Sequence, residues 1–216
     1  MKILVFDTET TGLPEKDASI YNFNQWPYIV QLSYIMYDIS DNTINSRDYY
    51  IKLNSNIEIT KESQEKHNLT HEILQNKGHN IIHVMREFNQ ALKICDIVIG
   101  HNISFDKRMV FVECLRNKIE QNFTKFSHNG KITKPEYCTM KNTKDFCNIT
   151  RLTKTNKTFI KQPTLLELYN KLFPDSPDPN NLHNSMVDVL CTMRCYLKYV
   201  YNIDIIEINE EVKNML

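Results

Sequence analysis

No run of eighteen apolar residues occurs in this chain of 216 residues, so the pattern of a membrane-spanning helix is missing. No Pro-, Gly- or Ser-rich stretch divides it, which argues against two domains on a linker. Six cysteines (Cys95, Cys114, Cys138, Cys147, Cys191 and Cys195) form no Cys-x-x-Cys pair. Cys191 and Cys195 stand one helical turn apart without suitably spaced histidines, so a structural zinc site is not expected and the thiols read as reduced. Charge of one sign is also lacking: 26 basic residues balance 26 acidic ones, and composition alone does not mark a nucleic-acid binder. The leading apolar run is broken by Asp7, far too early for a secretion signal, and an intracellular, cytoplasmic protein is expected.

What is present is 41% hydrophobic residues, enough for one globular domain over residues 1–216 with a substantial core. Ile3-Leu4-Val5-Phe6 is a continuous apolar run, the mark of a strand buried on both faces. Residues 28–37 predict a second strand and residues 48–53 a third, with turn chemistry at residues 38–42 between them. Then the period lengthens. Ile81, Val84, Met85, Phe88 and Leu92 recur at helical spacing over residues 80–94. A short buried strand at 96–100, a helix from Ser104, a helix opened by Pro163 in its first turn, and a long helix over 185–200 follow. Strands first, then helices and strands in alternation, predict an α/β fold with a mixed central sheet. Residues 141–161 carry no clear period and read as a loop-rich insertion. They are basic, with Lys141, Lys144, Arg151, Lys154, Lys157 and Lys161 against Asp145, a run that is either solvated surface or a phosphate contact.

The chemistry begins where the first strand ends, at Phe6-Asp7-Thr8-Glu9-Thr10-Thr11-Gly12. Residues i and i+2 of a strand share a face, so Asp7 and Glu9 set two carboxylates side by side as the chain leaves the core. Such anions repel unless a cation lies between them, and hard divalent metals favour oxygen ligands. Alone, the pair reads more readily as ordinary strand-end residues exposed to water. Asp106 near the start of one helix and Asp188 at the front of the last bring the set to four, the number that can hold two magnesium ions about 4 Å apart. His183, five residues before Asp188, is close enough to reach a water at the metal that Asp188 helps to hold.

Phe-Asp-Thr-Glu-Thr-Thr-Gly, His101-Asn102-Ile103-Ser104-Phe105-Asp106 and His183-x-x-x-x-Asp188 resemble, in order and spacing, the three motifs of the DEDDh 3′→5′ exonucleases, relatives of the proofreading subunits of bacterial polymerases. Residues 64–70 are similar to the family's His-Gly-Ile-Thr stretch, with Asn68 in place of Gly, and Ser185 stands where many members carry Ala. The resemblance spans nearly the whole chain and implies a ribonuclease H-like, three-layer α/β/α fold. It further implies that Asp7, Glu9 and Asp188 hold one Mg²⁺ or Mn²⁺, that Asp7 bridges to a second held with Asp106, and that His183 is the general base. Thr10, Leu13, Asn102 and Phe105 are the candidate substrate contacts, with core packing the alternative for Leu13 and Phe105; His67 and His101 read as structural.

The expected activity is release of nucleoside monophosphates from 3′ ends, of single-stranded or mismatched DNA in the first instance. An RNA exonuclease or oligoribonuclease is the alternative, because metals and phosphate are common to both and no motif touches the 2′ position. A non-catalytic nucleic-acid-binding module would be expected to lack one of the five motif residues. Docking on a polymerase and self-association both stay open. The acidic, amphipathic residues 204–216 either bind a partner or cap the fold.

Overall fold

The computed structural model describes residues 1–127 and 130–216. In chain order the strands are β1 (Lys2–Thr10), β2 (Ile29–Asp38), β3 (Thr43–Tyr50), β4 (Ile97–Gly100), β5 (Thr124–Ser127), β6 (Gly130–Thr133), β7 (Glu136–Cys138), β8 (Ile149–Leu152) and β9 (Thr158–Lys161). The helices are α1 (Lys61–His67), α2 (His71–Lys77), α3 (Ile81–Ile94), α4 (Ile103–Arg116), α5 (Thr139–Asn142), α6 (Lys144–Cys147), α7 (Leu165–Leu172), α8 (Ser185–Tyr201), α9 (Ile205–Ile208) and α10 (Glu210–Met215).

The central sheet runs β3-β2-β1-β4-β7. The first three strands form the expected antiparallel meander, while β4 and β7 lie parallel to β1, so the sheet is mixed. Alternate residues of β1 feed two separate cores. Leu4 and Phe6 pack with α3 and α4 through Val84, Phe88, Met109 and Val112, whereas Ile3 and Val5 pack with α8 through Val189, Leu190 and Met193. Helices thus cover both faces, giving the α/β/α layering of a ribonuclease H-like fold. Residues 204–216 form α9 and α10, which lay Ile205 and Val212, both fully buried, into the α8-side core. They cap the sheet.

Three expectations need correction. The third strand starts at Thr43 and ends at Tyr50 rather than spanning 48–53, because the tight turn pairs Asp38 with Thr43 and zips the mostly polar residues 43–47 onto β2. Pro163 lies outside α7: Thr164 is its N-cap and forms a reciprocal capping box with Glu167. The stretch 141–161 is not loop-rich, for it holds part of α5, then α6 and the β8–β9 hairpin. Pieces of four residues are too short to show a period, and their pairing comes from the rest of the fold. All six cysteines are free and buried. No helix of the described residues is long and apolar enough to cross a membrane.

Candidate active site: four carboxylates and a histidine

The strand parity that divides the cores also builds the site. Asp7 and Glu9 continue the face of β1 that meets α8, the helix carrying Asp188 in its first turn. Thr8 points the other way, toward α4. Its N–H and its hydroxyl both donate to the same Asp106 carboxylate oxygen, at 3.1 and 2.8 Å. Thr8 therefore anchors Asp106 across 98 residues of sequence. Parity alone could have nominated it, since it lies between two ligand candidates and faces the helix that carries a third.

Ser185 fixes the other wall. Fully buried, it donates its hydroxyl to the Asp7 carbonyl at 2.7 Å, while its Oγ accepts from Ser33 N–H at 3.2 Å and its own N–H donates to Gln31 at 3.3 Å. An alanine could make only the last of these bonds. In this chain the serine ties the start of α8, and with it Asp188, to the end of β1.

Asp7, Glu9, Asp106, His183 and Asp188 line one cleft of about 640 Å³. Ligand atoms of Glu9, His183 and Asp188 lie within 4.8 Å of one another. Burial, then Asp106, Asp188 and Glu9, push the Asp7 carboxyl well above its ordinary range. Glu9 is raised to about 8 by burial and by Asp188 and Asp106, with Lys66 opposing. Burial lifts Asp106 to about 7 and Asp188 to about 6. Four acids that mutually resist ionisation form a donor set suited to divalent cations, which would remove the repulsion.

The sign of this crowding gives a stability prediction. A carboxyl whose folded pKa is raised favours the folded state only while protonated, so its contribution is lost as pH climbs from the ordinary carboxylate range. The chelated protein should therefore melt at progressively lower temperature between about pH 4 and pH 8, with magnesium restoring most at pH 8. The Asp7→Asn variant should flatten that slope. Melting curves in EDTA that fall equally steeply for wild type and variant would show that the cluster is not the cause.

His183 sits at the exposed rim with φ +71°, and its N–H faces Asp188 Oδ1 at 3.4 Å. Burial of the ring and the nearby Lys66 lower its pKa, so the neutral, proton-accepting form prevails at neutral pH. His67 is a structural neighbour: Nδ1 accepts from Leu69 N–H at 3.0 Å, leaving the proton on Nε2 facing the Thr10 carbonyl at 3.3 Å. His101, pushed down to about 4 by burial, lies between Thr139 Oγ1 and the Pro163 carbonyl, at 2.9 and 3.2 Å.

The four candidate substrate contacts also line the cleft. Leu13 is 82% exposed, which eliminates core packing for it. Phe105 faces both ways, lining the cleft while packing against the α3–α4 core. Asn102 holds φ +65° as N-cap of α4. Thr10 donates its hydroxyl to the Gly12 carbonyl at 2.7 Å, leaving it only an acceptor for a ligand.

The α1 segment was missed as a wall of the site. It contributes Thr60, Glu62, Ser63, Lys66 and His67, and it approaches so closely that a Cβ on Gly12 would meet Thr60 Cγ2 at 3.0 Å. Asn68 ends α1 at φ +57°, a left-handed position where glycine is easiest and asparagine next, so its replacement of the family glycine keeps the backbone.

The model of the RNase_T exonucleases matches residues 4–196. The chain belongs to that family. No curated protein matches it. Among solved structures it is similar to E. coli exonuclease I in complex with a dT13 oligonucleotide, at 15% identity and a TM-score of 0.64 over 91% of this chain and 41% of that one. The zinc-bound E. coli exonuclease I–ssDNA complex gives 15% identity and 0.65 over 92% and 40%. A product-bound exonuclease I gives 12% and 0.65 over 95% and 45%. The chain thus spans about two fifths of the structures it matches, and the likeness is one of fold. The family is one of exonucleases, and the acidic cleft of this member offers donors suited to a divalent cation.

Proposed function

We propose that this exonuclease removes nucleoside 5′-monophosphates one at a time from 3′ ends, on single-stranded or mismatched DNA, using two Mg²⁺ or Mn²⁺ ions. The observation that carries the reading is the convergence of Asp7, Glu9, Asp106 and Asp188 with His183 in one cleft. On this reading Asp7, Glu9 and Asp188 would hold one cation, and Asp7 with Asp106 would hold the other. When bound, the pair would polarise the scissile phosphate and offset charge on the attacking and leaving oxygens. His183 takes the proton of the attacking water, whose oxygen bonds to phosphorus as the P–O3′ bond breaks. The released O3′ takes a proton from solvent and becomes the new 3′ end. Leu13, standing exposed at the cleft, wedges against the last base. Thr10 accepts from the terminal hydroxyl, and Asn102 and Phe105 flank the sugar and base.

DNA is favoured because related folds have been captured with dT13 and dA16 oligonucleotides. A time course on 3′- and 5′-labelled DNA and RNA strands, single and double, with magnesium or manganese, tests polarity, sugar and strand preference together. Equal hydrolysis of matched DNA and RNA 5-mers would remove the DNA preference. Inactivity on every strand with manganese would leave a binding module.

A further inference from the structure

Outside the cleft, the strongest unexplained feature is the β8–β9 hairpin. Its cross-strand pairs are Ile149 with Lys161, Thr150 with Ile160, Arg151 with Phe159, and Leu152 with Thr158. Paired residues share a face, so Arg151 and Phe159 lie above Ile149 and Lys161. The lower pair is anchored: Ile149 packs on the core formed by α7 and α8, and Lys161 Nζ reaches Glu167 at 2.5 Å. The upper pair is not. Phe159 is 45% exposed beside an exposed Arg151, and Leu152 on the opposite face is 66% exposed. Lys154 and Lys157, also exposed, occupy the turn. Among the described residues none of Arg151, Lys154 and Lys157 makes an ion pair, and residues 149–161 hold no acid. An isolated two-stranded ribbon is marginal by itself, and exposed apolar side chains at its outer end add nothing to its folding.

Its position supplies a reason. Two residues past β9, the Pro163 carbonyl bonds His101, which lines the catalytic cleft. Four residues of strand extend about 13 Å, so the cationic end stands within a few nucleotides of the cleft mouth. The cleft itself repels a polyanion, and the chain has no net positive charge to offset this. A strand held at its 3′ end therefore needs a local cationic contact. Unpaired cations beside an exposed aromatic ring are the combination that holds single strands without reading sequence, through phosphate contacts and base stacking.

Resting on the nuclease reading, we propose that the β8–β9 hairpin is an arm that grips one nucleic-acid strand behind its 3′ end, with Arg151, Lys154 and Lys157 on phosphates and Phe159 against a base.

The test is KM against strand length, from dinucleotide to 12-mer, and against salt, for the wild type, for the triple variant R151Q/K154Q/K157Q, and for Phe159→Ala. The substituted side chains are exposed, and melting curves check that the variants fold. In the wild type KM should fall with length. Losing three phosphate contacts should raise KM on the 12-mer and reduce the slope of log KM against log salt by about 2, with a much smaller change on the dinucleotide. Phe159→Ala should weaken the 12-mer by about 5- to 150-fold, the cost of one lost base stack. Variants that keep the wild-type salt slope and length dependence on an active enzyme would overturn the arm and leave the nuclease reading intact. A wild type inert on all strands would overturn both.

Discussion

Asp7→Asn is expected to lower turnover by about 10³-fold or more with either magnesium or manganese. The Asp7 carboxyl is buried and pushed well above its ordinary range by burial and by Asp106, Asp188 and Glu9, so its charge is the one a cation would relieve most. On the proposed reading Asp7 would hold both cations, for which a carboxylate supplies a negative charge and two oxygens, whereas the amide of asparagine offers one neutral oxygen. A lost ligand removes several kcal/mol of transition-state stabilisation, and each 1.36 kcal/mol is tenfold in rate. The substitution preserves volume, so a dead enzyme need not be an unfolded one. In EDTA the variant should melt at or above the wild-type temperature, because a buried carboxylate repelled from three sides has gone. Magnesium should then raise its melting temperature less than it raises that of the wild type, since ligand stabilisation scales with binding. Near-normal turnover in the variant, or activity surviving EDTA in the wild type, would remove the metal assignment.

The legible part of this protein was whatever repeats on a short period or lies in a motif. β1, α3 and α8 announced themselves through apolar runs or helical spacing; the bounds of α3 and α8 differ from the expected ones by one residue, while β1 runs four residues past Phe6 to Thr10 and so carries Asp7 and Glu9 within the strand. The four carboxylates and the histidine came from three motifs separated by some 80–100 residues, and the fold that gathers them followed from the same resemblance. What stayed illegible depends on contacts across the chain. Thr8 gains its role only when α4 is laid over β1, and Ser185 only when α8 abuts the Asp7 carbonyl and β2. Helix α1 spans seven residues with one buried side chain, too little to carry a hydrophobic stripe, yet it forms a wall of the cleft. The β8–β9 hairpin hid for a related reason, since each strand is four residues long and most of the hairpin's strand residues face solvent.

His183→Ala should cost about 10²–10⁴-fold in kcat, the usual size of a general-base contribution. Two roles compete for this residue, because its ring nitrogen lies close enough to Glu9 and Asp188 to be a metal ligand as well as a base. The backbone favours the base. His183 sits outside α8 at a left-handed φ of +71°, on an exposed turn tied to Asp188 only by a 3.4 Å hydrogen bond. That placement suits a group that must meet water better than one that must grip a cation rigidly. The measurements separate the roles. A base leaves the metal dependence of the melting temperature unchanged in the variant, whereas a ligand weakens it. A base also shapes the pH profile. With its pKa lowered by burial and Lys66, wild-type kcat should be level through neutral pH and fall only in the acid range, as the ring takes up a proton. Without the ring, the rate should instead climb with hydroxide across neutral pH, because solvent must then remove the proton. A variant with a near wild-type rate and the same acid limb would take His183 out of the reaction and require another acceptor for the proton of water.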